Sequence, residues 1–144
     1  MRSRAAIAGH PLHPAAVAIP IGAFTMTLVA DLFVLAGRQG AWASTARYAL
    51  AVGIAGALLA AVLGFIDYFT VKMTAAGGKL ATRHMVLNLA AVGLFVVSLW
   101  LRCRAAAGWC VPGFATSTLA FLLLGVSGWI GGELVFKHKV GVVE

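Results

Sequence analysis

Four long apolar stretches, at 15–36, 48–70, 85–101 and 114–136, alternate with short polar connections along this chain. Each approaches or exceeds the roughly 20 residues that an α-helix needs to cross a bilayer, so the pattern predicts four transmembrane helices. The connections "GRQGAWAS", "TAAGGK" and "AAAGWCVPG" carry the glycine and proline that break helices. All three are short, which makes consecutive helices antiparallel neighbours. The predicted fold class is therefore an all-α integral membrane protein, with residues 1–144 forming one four-helix, up-down bundle.

Composition agrees with this pattern. The chain is 62% hydrophobic and 10% charged, with mean hydropathy +0.99, whereas a soluble domain carries about 25% charged residues. The apolar start is interrupted by His, Pro and Gly and lacks a small-residue cleavage site, so it is not expected to be a cleaved signal peptide. No internal repeat is legible. Trp42, Tyr48, Trp100 and Trp109 fall at one end of the predicted bundle and Tyr68 at the other, as an interfacial aromatic belt requires.

The net charge of +7 would point to nucleic acid in a soluble protein. Here the cations are expected in loops and tails, facing lipid headgroups, and no nucleic-acid partner is expected. Four crossings put both termini on one side. That side holds Arg2, Arg4, Lys72, Lys79, Arg83, Lys137 and Lys139; the other holds Arg38, Arg47, Arg102 and Arg104. The excess predicts that the N- and C-termini face the cytoplasm. Cys103 and Cys110 share the third connection and are expected to be a free pair, although an oxidising compartment would let them close that loop.

The polar residues inside the spans are costly and ask for an explanation. "GHPLHP" precedes the first span, and its prolines push it away from helix. In an extended polyproline-II conformation His10 and His13 would point the same way. Pro20 is expected in the first helical turn or at a kink. Asp67 ends the second span, His84 opens the third, and Glu133 and His138 close the fourth. All four histidines thus gather at one end of the bundle. His84, Asn88, Ala91, Phe95 and Ser98 share one helical face. Gly53, Gly56, Ala60, Gly64 and Asp67 share another, and Gly125, Gly128, Gly131 and Gly132 crowd the last helix. Asp31 lies at the opposite end, where Arg38 or Arg47 is its expected partner. Lys137, four residues after Glu133, is placed for an ion pair with it.

First and third helices are diagonal in such a bundle, so His13 and His84 are expected to face each other. Two opposed imidazoles can serve as axial ligands of haem b, with His138 as a substitute for either. Glycine faces would leave room for the porphyrin. Asp67 or Glu133 would fix an imidazole tautomer, and Arg83 with the neighbouring lysines would pair the propionates.

"GHPLHPAAVAIPIG", Asp31, "GFIDY", "RHMVLN" and "GWIGGELVFKHKVGV" together resemble the bacterial membrane-protein family known as domain of unknown function 2231. The resemblance spans nearly the whole chain and implies a four-helix membrane protein. Fused Rieske or cytochrome-type domains in that family imply redox work. His10, His13, Asp67, His84, Glu133 and His138 are the positions carried over, and Lys139 stands where the family pattern has glycine.

The expected function is a small haem b electron-transfer subunit, acting with a quinone or a larger membrane redox complex rather than as a stand-alone enzyme. One alternative is a non-haem site for zinc, iron or copper, built from the same His, Asp and Glu residues. The other is a structural or assembly subunit of a membrane complex.

Overall fold

The computed structural model of the protein describes residues 3–141. Four helices form an antiparallel up-down bundle, each long and apolar enough to cross a membrane. The "GHPLHP" stretch is not polyproline. Residues Ala6–Ile7 (β1) and His10–Pro11 (β2) form a small antiparallel hairpin. Ala8 and Gly9 make its turn, both with positive φ (50° and 81°), as a two-residue turn of type I′ demands. Helix begins immediately afterwards, with α1 at Leu12–Ala16 and α2 at Ala18–Leu35. His10 therefore lies on a strand and His13 on a helix, and the two do not project together. The break at Val17 has a local cause: Pro20 has no N–H to offer the Ala16 carbonyl one turn earlier.

Helix α2 ends in a Schellman motif. Gly37 sits at φ 82°, its N–H donates to the Val34 carbonyl, and the Arg38 N–H donates to that of Phe33. Helices α3 (Ala41–Thr70) and α4 (Ala75–Arg104) start well before the apolar stretches do. Hydropathy marks where lipid begins, while the alanines of "AWASTAR" and "AAGGKLATRH" favour helix outside it as well. Thr74 caps α4, its hydroxyl accepting from the Gly77 N–H at 3.1 Å. Helix α5 (Val111–Phe136) carries Pro112 in its first turn, where no N–H is needed. Lys139 adopts the left-handed conformation, φ 53°, which glycine takes up at less cost.

The bundle is two tight hairpins, α2 with α3 and α4 with α5, meeting along a sparser seam. At mid-depth Phe24 of α2 and Phe95 of α4 stack across the diagonal, centroids 3.6 Å apart, amid Leu50, Ile54, Ala91 and Ala120. The α3 glycines admit this packing. A Cβ on Gly53 would fall 2.4 Å from the Phe24 ring, and one on Gly56 would fall 2.8 Å from Ile19.

Candidate functional site

His13 and His84 face each other at one end of the bundle, ring centroids 6.5 Å apart and planes nearly perpendicular. Each belongs to a different hairpin, and each is held the same way. The Nδ1 of His13 lies 2.8 Å from the Ala60 carbonyl oxygen on α3. The Nδ1 of His84 lies 2.8 Å from the Ser127 carbonyl oxygen on α5. A carbonyl oxygen only accepts, so each ring carries a proton on Nδ1 and turns its Nε2 away from that carbonyl.

A helical carbonyl already accepts from the N–H four residues on and is normally covered by that residue's side chain. Here that residue is Gly64 in one hairpin and Gly131 in the other. A Cβ on Gly64 would fall 3.0 Å from His13 Cε1, and one on Gly131 would fall 2.9 Å from His84 Cε1. Glycine thus uncovers the carbonyl and makes a notch for the ring. The glycine faces expected to admit a porphyrin edge are, at Gly53, Gly56, Gly64 and Gly131, filled by the protein's own side chains. Gly125, Gly128 and Gly132 meet no atom within 4 Å beyond their own surroundings.

The His84 side is more elaborate. Asn88 donates from Nδ2 to His84 Nε2 at 3.0 Å and also to the His84 carbonyl. Ser127, fully buried, donates its hydroxyl to that same carbonyl at 3.1 Å. No comparable side chain contacts the Nε2 of His13 among the described hydrogen bonds.

A second polar site lies at the opposite end. Asp31 and Arg102 pair through both carboxylate oxygens, each at 2.7 Å, with neither side chain exposed. Arg102 also donates to Ser98 and Ser117, and the Trp109 indole N–H donates to Asp31 at 2.8 Å. Ser98 passes on to the Gly113 carbonyl at 2.6 Å. The partner expected for Asp31 was Arg38 or Arg47; it is Arg102, which was expected in a loop. Arg102 continues the helical face of His84, Asn88, Ala91, Phe95 and Ser98 by one further step of four, so the pattern already pointed inward. Trp109 is likewise half-buried rather than a belt residue.

These features meet a comparison at family level. A family model described as "Predicted membrane protein (DUF2231)" matches residues 9–144. The chain belongs to the DUF2231 family. No curated protein matches it, and no solved structure does. DUF2231 membership and the four apolar helices make this a membrane protein seated in a lipid bilayer.

In this DUF2231 chain the remaining expected site residues disperse. Asp67 does not orient an imidazole. It accepts from the Ser3 hydroxyl at 2.7 and 2.8 Å and from the backbone N–H of Arg4 and Ala5 at 3.0 and 3.2 Å, pinning the segment before β1. His10 is exposed, its ring against the Ala8 carbonyl of its own turn. His138 packs beside Gly77 at the start of α4, about 10 Å along the helix from His84 at 1.5 Å per residue. Glu133 pairs with Lys137, as its spacing predicted. Arg83 lines an open groove of about 310 Å³ with Val86, Leu87 and Ile130 on the outer face of α4 and α5. Among the described residues no group of three His, Cys, Asp or Glu side chains is placed to hold a metal ion. Cys103 and Cys110 are both free thiols. Arg2 lies outside the described residues.

Proposed function

We propose that this DUF2231 protein binds haem b between His13 and His84 and works as a small electron-transfer subunit. One observation carries the reading. Two imidazoles from different hairpins face each other, and each donates its Nδ1–H to a backbone carbonyl. Metal-ligating histidines are characteristically held in this way, leaving Nε2 as the donor atom. His13 and His84 would hold the haem iron, one from each hairpin. Haem bound there would supply one-electron chemistry, and the identity of the residues holding it and their burial would tune its potential.

The chain's own residues have definite tasks in this reading. Ala60 and Ser127 orient the rings through their carbonyls, and Gly64 and Gly131 give the rings space. Asn88 holds His84 Nε2 at 3.0 Å and would have to yield that atom to a bound group. Lys72, Lys79 and Arg83, exposed at the same end, suit carboxylate groups near the headgroups. A bare zinc, iron or copper ion is less well served, because only two ligands converge and no third joins them among the described residues.

The electron partner belongs to this proposal too: a quinone or a larger membrane redox complex. So does the orientation in a bacterial inner membrane with cytoplasmic termini. With Arg102 withdrawn into the core, three Arg remain on the far side against seven Lys and Arg on the terminal side, which strengthens the bias.

The test is the visible spectrum of the purified full-length chain, with a pyridine extract to identify the porphyrin. A Soret band lost in both His13→Ala and His84→Ala supports the reading. A chain that takes up no haem, even when haem is supplied during expression, ends it.

A further inference from the structure

The two hairpins repeat each other in ways the amino-acid identities conceal. His13 and His84 lie 71 positions apart, as do Phe24 and Phe95, Thr27 and Ser98, and Asp31 and Arg102. On the second helix of each hairpin the interval is 67: Ala46 and Gly113, Leu50 and Ser117, Gly53 and Ala120, Ala60 and Ser127. Every one of these residues is buried except the two histidines, which are half-buried.

Parallel diagonal helices in contact always hold a constant offset, so the first interval alone is weak. The second is independent, because α3 and α5 lie on the other diagonal. The full unit is also repeated: a histidine in the first span of the hairpin, its Nδ1 on a carbonyl of the second, and a glycine four residues after that carbonyl. The two intervals differ by four residues, close to one helical turn of 3.6, so a one-turn change in the connecting loop accounts for the difference without altering the inner face.

We infer that the chain is two copies of one helical hairpin related by a pseudo-twofold axis along the bundle, and that Asp31 and Arg102 make each hairpin select the other rather than its own like. On the axis each residue meets its counterpart: His on His, Phe on Phe, and at the far end a carboxylate on a guanidinium. The first two matches would serve equally well in a pairing of like hairpins from two chains. The third forbids it, because two Asp or two Arg would bury like charges without compensation. Buried polar groups that fix partner choice are known in helical assemblies. The inner face of each hairpin is therefore built to take the unlike hairpin of the chain and to refuse a copy of itself. This inference does not depend on haem.

The test uses full-length chains carrying different affinity tags, D31R, R102D, and D31R combined with R102D, each solubilised in detergent. Alone, D31R and R102D are expected to lose the monodisperse folded species, while the double reversal recovers it in part, Trp109 being left without its acceptor. Co-expressed, the two single variants are expected to rescue one another. Both tags then copurify in a species in which the Asp31 hairpin of one chain joins the Arg102 hairpin of the other. Folded single variants would overturn the pairing role of the two residues. Failure of the double reversal to improve on the singles, or of co-expression to yield a mixed species, would overturn the equivalence of the hairpins.

Discussion

Asp31 on α2 and Arg102 on α4 form a two-pronged ion pair, both contacts 2.7 Å, at a depth where neither side chain has accessible surface. Its partners Ser98, Ser117 and Trp109 satisfy much of what the bare pair would leave unsolvated. The pair joins diagonal helices, so it closes the bundle at the end opposite the imidazoles.

Truncating one member leaves the other charge buried and uncompensated. Asp31→Ala and Arg102→Ala are each expected to lower stability by about 3–5 kcal/mol. Replacing both by apolar residues, Asp31→Leu with Arg102→Met, is expected to recover most of that loss. Unfolding in detergent, followed by circular dichroism, measures both; equal losses in the double and single variants would contradict the account.

The Trp109 indole ties the α4–α5 connection to the same carboxylate. Trp109→Phe keeps the ring beside Phe114 and removes only the N–H. The expected cost is about 1.5–3 kcal/mol, the range for a hydrogen bond to a charged group. Tryptophan fluorescence cannot report on this variant without ambiguity, so thermal unfolding by circular dichroism is the measurement.

Gly64→Ala and Gly131→Ala place a methyl group about 3 Å from an imidazole carbon, too close without movement of the ring or its helix. Each is expected to cost about 1–3 kcal/mol and to displace the ring from its carbonyl. Gly132→Ala, beside open space, is the control and is expected to leave stability unchanged or slightly raised through better helix propensity. Histidine ring resonances by NMR in detergent separate the first two from the third.

Asp67→Ala releases the Ser3 hydroxyl and the Arg4 and Ala5 N–H groups. Faster amide exchange is expected at Arg4 and Ala5, with little change at the helical amides around Ala60 and Ser127. Loss of protection at the His13 and His84 carbonyl sites instead would show that Asp67 supports the imidazole pair after all.

In the haem reading Asn88 competes for His84 Nε2. Asn88→Ala is then expected to keep the Soret band, whereas His84→Ala loses it. Equal loss in both would mean that Asn88 orients the ring in the ligated state as well.

The four-helix membrane fold was legible in hydropathy because lipid leaves a backbone few options: each span must satisfy its own N–H and C=O groups, which a helix does. The facing of His13 and His84 was legible too, since short connections force antiparallel neighbours and place the first and third spans on a diagonal. Arg102 was legible in principle, one step further along the His84 face. What the linear order did not carry was which partner each polar group takes. Asp67 binds the N-terminal segment, and His138 stays at the start of α4, because a hydrogen bond depends on distances of a few tenths of an ångström that residue spacing leaves open. The hairpin repeat was equally hidden. Few of its matched positions keep the same amino acid; what recurs is burial, a carbonyl acceptor and a missing Cβ, and of these only the glycine can be read along the chain, because burial and the choice of acceptor are set by backbone placed in space.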